Sequence, residues 1–238
     1  MWPFSKKAPG LEESGLFQGF TDWHSHILPG VDDGIHTMEE SLAVLKKYEE
    51  LGVKRVWLTP HIMEEYPNST SFLHERYEAL KKEYDGSIEL HLASENMLDS
   101  LFEDRIRNRD ILPIGPDGDR LLVETSYINP PMGMEQMIQK VFAEGLTPVL
   151  AHPERYRYMD YQDYERWKSR GVLFQCNFVS LLGGYGNTAR EKAEWLLQQG
   201  FIDLTGSDLH RYAMLEAILP KRAKSVAAME TLLSVCKQ

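Results

Sequence analysis

Cysteine is scarce in this sequence: Cys176 and Cys236 are the two thiols in 238 residues. Two thiols make no disulfide framework, which points to a reducing compartment. Positive charge is also in deficit, with 26 Lys and Arg against 36 Asp and Glu and a net charge of -10. A general affinity for nucleic acid or anionic membrane is excluded on that ground, while part of the negative charge is available to offset bound cations. No apolar run approaches the roughly 18 residues of a membrane span. The opening MWPFSKK has no hydrophobic region after its lysines and is not a secretory signal. It reads as a frayed end, with a weak membrane-surface or partner contact as the other reading, and the protein is expected in the cytoplasm. No composition break marks a second domain and no repeat of 20–50 residues is visible, so 1–18 is expected as an N-terminal extension and 19–238 as a single domain.

What is present is a regular alternation. Apolar runs at 53–60, 88–92, 120–123, 147–151, 172–177 and 201–205 read as strands, after a first one leading into residue 24. Between them lie amphipathic stretches. Thr37 and Glu40 read as a capping box opening a helix that Gly52 closes. Further helices are expected at 72–84, near 98–108, at 134–144 and at 189–199, with a Tyr/Arg-rich helical stretch after 152 and one or two helices at the end. Seven strand–helix units of this kind argue for an α/β fold with a parallel sheet and outer helices. A seven-stranded, TIM-like barrel is the expected form, with an open doubly wound sheet as the alternative.

The chain is organised around TDWHSHILPGVDDG, residues 21–34. In an extended segment residues i and i+2 share a side, so His24 and His26 present both imidazoles to one point. Asp33 follows on a loop bent back by Pro29, Gly30 and Gly34. Parallel βα folds carry their chemistry at the C-terminal ends of strands. There this sequence places His61, Glu95, Glu124, His152, Asp208 and His210. Each has an ordinary explanation alone: Glu95 or Glu124 as a helix-start carboxylate, His152 as a loop histidine. As a set of nine, none of them Lys or Arg, they supply donors for two or three metal ions. Imidazole and carboxylate without thiolate suits Zn, Mn or Fe, and Cys176 reads as a core residue of a strand.

These residues, with Thr59-Pro60-His61, Ala151-His152-Pro153-Glu154-Arg155 and Ser207-Asp208-Leu209-His210, resemble the PHP (polymerase and histidinol phosphatase) superfamily. Within it they look like the metal-dependent protein-tyrosine phosphatases encoded with bacterial capsule and exopolysaccharide genes, over about residues 19–212. The resemblance implies a distorted (β/α)7 barrel of the PHP type and two or three divalent ions, manganese first, with zinc or iron as alternatives. It assigns His24, His26, Glu95 and Asp208 to one metal. Glu95, as a bridge, goes with Glu124 and His152 to a second, and Asp33, His61 and His210 to a third. It makes Glu95, Arg155 and Asp208 catalytic and gives Arg155 a phosphate contact. A second family arginine follows the SDxH motif, where the nearby candidate is Arg211. The implied substrate is a phosphotyrosine protein, the tail of a bacterial tyrosine kinase that controls capsule synthesis.

The cysteine-nucleophile route to the same reaction needs an arginine six positions on; Cys176 has Leu182 there and Cys236 lies near the end. Tyr156, Tyr158, Tyr161 and Tyr164 read either as rings that stack a phosphotyrosine or as an ordinary helix face. The loop 64–71 reads as a cover over the site or as a plain connection. The rival functions are a small-molecule phosphatase of the histidinol-phosphate kind and a non-catalytic scaffold for a kinase tail; a nuclease lacks a basic track.

Overall fold

Apolar β-rich runs separated by capped helices leave the chain one economical arrangement, strands inside and helices outside. The computed structural model describes residues 8–223 and 226–236, so the MWPFSKK heptad lies outside the described residues. Its strands are β1 (Thr21–Ser25), β2 (Arg55–Leu58), β3 (His61–Ile62), β4 (Glu89–Leu92), β5 (Glu95–Met97), β6 (Arg120–Glu124), β7 (Thr147–Ala151), β8 (Leu173–Asn177) and β9 (Leu204–Gly206). All pair in parallel, in the orders β1-β2-β4 and β3-β5-β6-β7-β8-β9. The segments β2 and β3 are one strand interrupted at Thr59-Pro60, and β4 and β5 one strand interrupted at Ala93-Ser94. Backbone bonds carry across both breaks, from Ala93 N to Leu58 O (2.9 Å) and from Glu95 N to Pro60 O (3.0 Å). Seven strands result, as the alternation predicts.

The sheet curls until β9 meets β1. A bridge joins Ser25 to Leu209, Asp208 N donates to His24 O (2.8 Å) and His26 N to Leu209 O (3.0 Å). This is the distorted barrel and not the open sheet. Period-two alternation sorts its walls. Leu122, Val149 and Leu204 face inward with Trp57, on which Trp23 stacks at 5.6 Å. Leu121, Val123, Leu150 and Phe174 face outward onto the helices.

The helices are α1 (Met38–Leu51), α2 (Thr70–Glu83), α3 (Phe102–Arg107), α4 (Met134–Ala143), α5 (Tyr161–Ser169), α6 (Phe178–Leu181), α7 (Asn187–Gln198), α8 (Tyr212–Ile218) and α9 (Val226–Cys236). Thr37 caps α1 through the Glu40 amide (3.2 Å), and Gly52 ends it at φ 95°. The capping box is only half formed, because the Glu40 carboxylate accepts from Tyr212 N (2.8 Å) instead of Thr37 N. Helix α3 is shorter than expected. The Arg105 guanidinium binds Met97 O (2.8 Å) and Asp99 (2.6 Å), which holds the preceding turn out of helix.

The stretch after His152 is also not one helix: a single tight turn at Pro153–Arg155 precedes a second turn at 157–158, and α5 begins at Tyr161 behind an Asp160/Asp163 capping box. Residues 8–18, expected as an extension, lie against the barrel with Leu11, Leu16 and Phe17 buried in its core. The 64–71 loop is a pinned connection. Asn68 Nδ2 donates to Val31 O and His61 O (2.9 Å each), and Asp110 accepts from Thr70 N (2.8 Å). Among the described residues no helix is long and apolar enough to cross a membrane.

Candidate metal centre

The register of β1 against β2 slips between Asp22 and Ser25. Asp22 turns out to Tyr48 OH (3.0 Å) and to Ser207. The slip breaks strict alternation, so Trp23 joins the inner cluster and His24 still reaches the barrel mouth. Gly206 makes room for it: a Cβ there would lie 2.5 Å from His24 Cβ. Both imidazoles are then fixed from behind. Gln175 Oε1 accepts from His24 Nδ1 (2.8 Å) and Asp32 Oδ2 from His26 Nδ1 (2.8 Å). Those bonds turn the two Nε2 atoms toward each other, 3.1 Å apart, as the outer partners of metal-binding histidines do.

Glu95 stands at the centre. Its Oε2 lies 3.1 Å from His24 Nε2, 3.2 Å from His26 Nε2 and 3.2 Å from His61 Nδ1, while Oε1 lies 3.1 Å from His152 Nε2. Glu124 is 3.6 Å from both His61 Nδ1 and His152 Nε2. Asp208 Oδ1 is 3.4 Å from His26 Nε2 and 3.5 Å from His210 Nδ1. Asp33 Oδ1 completes the outer edge, 3.6 Å from His61 Nε2 and 3.5 Å from His210 Nε2. All nine donors thus come together, in overlapping sets: His26, Asp33, His61 and His210; His24, His152 and Asp208; His24, His26 and Glu95; His61, Glu95 and Glu124.

The donors fit divalent cations. Glu95 Oε2 and His61 Nδ1 are buried without a hydrogen bond, although each faces the other's polar atom. Lone pairs that converge on one another are unstable in a dry interior unless a cation lies between them. The electrostatics of the protein groups agree. Burial alone would push the Glu95 carboxyl up, but His24 and His61 hold it well below the usual carboxylate range. Burial, reinforced by the Glu95 charge, drives Glu124 well above it. Burial also lowers His152 to about 4, leaving a neutral imidazole suited to a metal.

Beside the cluster a cleft of about 1050 Å³ opens past Glu124, Tyr127, Arg155, Arg157 and Tyr185. Arg155 Nη1 donates to Asp208 Oδ2 (2.6 Å). Arg211 does not join it: this residue is exposed at the start of α8 and lines no part of the cleft. Of the four tyrosines after His152, Tyr156 and Tyr164 are core residues, the first held to Thr125 N (3.1 Å) and the second to Pro153 O (3.1 Å). Tyr161 lines the cleft. The rings beside Arg155 belong instead to Tyr127 and Tyr185.

A family model described as "Capsular polysaccharide synthesis, CpsB/CapC" matches residues 20–231. The chain belongs to the CpsB/CapC family. Among curated relatives, the tyrosine-protein phosphatase CpsB of Streptococcus agalactiae is 30% identical over 209 residues, covering 79% of this chain and 82% of the relative. The tyrosine-protein phosphatase YwqE of Bacillus subtilis is 27% identical over 195 residues, covering 79% and 76%. In fold, the chain is similar to solved structures described as YwqE from Bacillus subtilis and CpsB from Streptococcus pneumoniae, unique metal-dependent tyrosine phosphatases. That match has a TM-score of 0.76 at 23% identity and covers 92% of this chain and 88% of the other. The family to which the motifs point is the family of the CpsB/CapC chain described here.

Asp32, Gln175, Asn177, Tyr127 and Tyr185 are the residues around this centre that the motif reading leaves out. Gln175 and Asn177 carry a signal, two polar residues at i and i+2 inside an otherwise apolar strand. The two tyrosines sit on loops and carry none.

Proposed function

We propose that this chain is a metal-dependent phosphomonoester hydrolase that removes phosphate from protein phosphotyrosine, with a bacterial tyrosine kinase tail as the physiological substrate in the cytoplasm. The observation that carries the reading is a nine-donor cluster, buried except at its Asp33 and His210 edge, with an arginine beside it and opening into a cleft. The names of the CpsB and YwqE relatives support the substrate class.

His24, His26, Glu95 and Asp208 would hold one ion, Glu95, Glu124 and His152 a second, and Asp33, His61 and His210 a third, with manganese the first candidate. When bound, clustered divalent ions neutralise phosphate charge and acidify water to a pKa of about 7. The protein's own part is to hold and orient. Arg155 offers a planar fork to the phosphoryl oxygens. Glu95 and Asp208 keep the donor sets in register with that fork. A phenolate leaving group has a conjugate acid of pKa about 10, so its departure demands little from a general acid. None of the nine donors has to serve as one.

The cleft is open and, at about 1050 Å³, at the upper end of small-ligand pockets, which favours a protein substrate over a small ester. The test is the ratio of rates on a phosphotyrosine peptide and on histidinol phosphate with metal-loaded protein. Preference for the peptide supports the proposal; preference for histidinol phosphate overturns the substrate assignment.

A further inference from the structure

The Arg155 guanidinium lies between two rings, 4.4 Å from the Tyr127 centroid and 4.2 Å from that of Tyr185. The rings come from separate loops, one after β6 and one between α6 and α7. Each tyrosine has a second attachment. The Tyr127 ring packs against the His152 imidazole (centroids 5.8 Å apart), and the Tyr185 hydroxyl donates to Asp208 Oδ2 (3.4 Å). Both line the cleft. We propose that Tyr127 and Tyr185 are positioning residues: a two-sided aromatic clamp that sets the plane of Arg155 and registers it against the carboxylates of the donor cluster.

A long side chain beside several carboxylates has no intrinsic reason to present one edge. Asp208 holds one edge of the guanidinium through Nη1, with Asn177 Nδ2 on the same oxygen (2.8 Å). Without the rings, the arginine could rotate about that contact and fold its remaining donors onto neighbouring acids. Rings packed over the guanidinium leave its N–H rim for hydrogen bonds, and Arg155 itself lines the cleft. Stacking of this kind is strongest where water is excluded. Arg155 is that case, with a side chain only 19% exposed. The ring contacts with Arg155 and His152 make the clamp track the cluster, so the distance between the arginine fork and the donors is set by the protein before any substrate arrives.

This inference rests on the phosphatase reading for its activity readout, but orthophosphate binding tests it separately. The variants are Tyr127→Leu, Tyr185→Leu, their Phe counterparts, and each Leu change combined with Arg155→Ala, all metal-loaded, with metal content and circular dichroism recorded. The Phe variants keep the ring and should stay within about threefold of the parent. Each Leu variant, with metal content unchanged, should weaken orthophosphate binding and raise KM for a phosphotyrosine peptide roughly tenfold. In the Arg155→Ala background the same Leu change should have no further effect, because the clamp acts through the arginine. Equal Leu effects with and without Arg155, no Leu effect at all, or Phe variants as impaired as Leu variants would each overturn the clamp. If the parent protein hydrolyses no phosphotyrosine peptide but phosphate binding shows the expected pattern, the clamp stands and the substrate reading falls.

Discussion

Asp208 divides its two oxygens between two tasks. Oδ1 faces the imidazoles of His24, His26 and His210 at 3.4–3.7 Å, and Oδ2 accepts from Arg155 Nη1 at 2.6 Å. One carboxylate therefore ties the candidate metal cluster to the candidate phosphate contact. The His24 imidazole is linked to the same oxygen through Gln175 and Asn177, since Gln175 Nε2 donates to Asn177 Oδ1 (2.9 Å) and Asn177 Nδ2 to Asp208 Oδ2 (2.8 Å).

Arg155→Lys keeps the charge and loses the planar fork. The expected result is a fall in kcat/KM of about a hundredfold with metal content unchanged. Steady-state kinetics on a phosphotyrosine peptide, with bound metal counted, checks it; a lysine variant as active as the parent would show that a point charge is sufficient.

Gln175 and Asp32 would act on a bound ion through the histidines they hold. Gln175→Leu and Asp32→Asn should each weaken metal affinity by about ten- to a hundredfold, since they release the tautomer and tilt of His24 and His26. Competition against a chelator of known affinity measures this. Unchanged affinity would place both residues in a packing role only.

Both thiols are buried, and burial pushes the Cys176 thiol well up and that of Cys236 to about 12. Neither is a thiolate near neutral pH. Hydrolysis should survive iodoacetamide treatment of the folded, metal-loaded protein; a loss of activity that follows alkylation of either thiol stoichiometrically would contradict this.

Burial raises the Asp22 carboxyl to about 6, against hydrogen bonds from Ser207, Tyr48 and His24 that lower it. Between the unfolded value of about 4 and this raised value, the folded state holds the proton that the unfolded chain has released. The contribution to stability is therefore full below pH ~4 and is lost as pH rises through about 6, up to about 3 kcal/mol in all. Urea unfolding of metal-free protein at several pH values, compared with Asp22→Asn, isolates the effect. The difference between the two proteins should change across that window and be flat above pH ~7; a flat difference throughout would contradict it.

The donor cluster was legible in the sequence because two simple rules place it. Strand periodicity puts His24 and His26 on one side, and a parallel βα fold sends residues at strand exits to one mouth. His61, Glu95, Glu124, His152 and Asp208 need no more than that. What escaped depends on contacts distant in sequence. Glu40 has the spacing of a capping box, yet its carboxylate is diverted by an amide 172 positions away. Tyr156 and Tyr164 follow His152-Pro153-Glu154-Arg155, but the break in helix after Arg155 leaves Tyr156 in the core ahead of a turn, and α5 buries Tyr164 on its inner face. Tyr127 and Tyr185 are loop residues without periodicity, brought together only by the barrel.

The measurement that bears most directly on this account is hydrolysis of a phosphotyrosine peptide by chelator-stripped protein, with Mn, Zn, Mg or Fe added back and bound metal counted. The account predicts negligible turnover in the stripped protein and recovery as two or three ions bind per chain. Full turnover in stripped protein whose metal content is confirmed to be nil, or complete metal loading without any turnover, would contradict it.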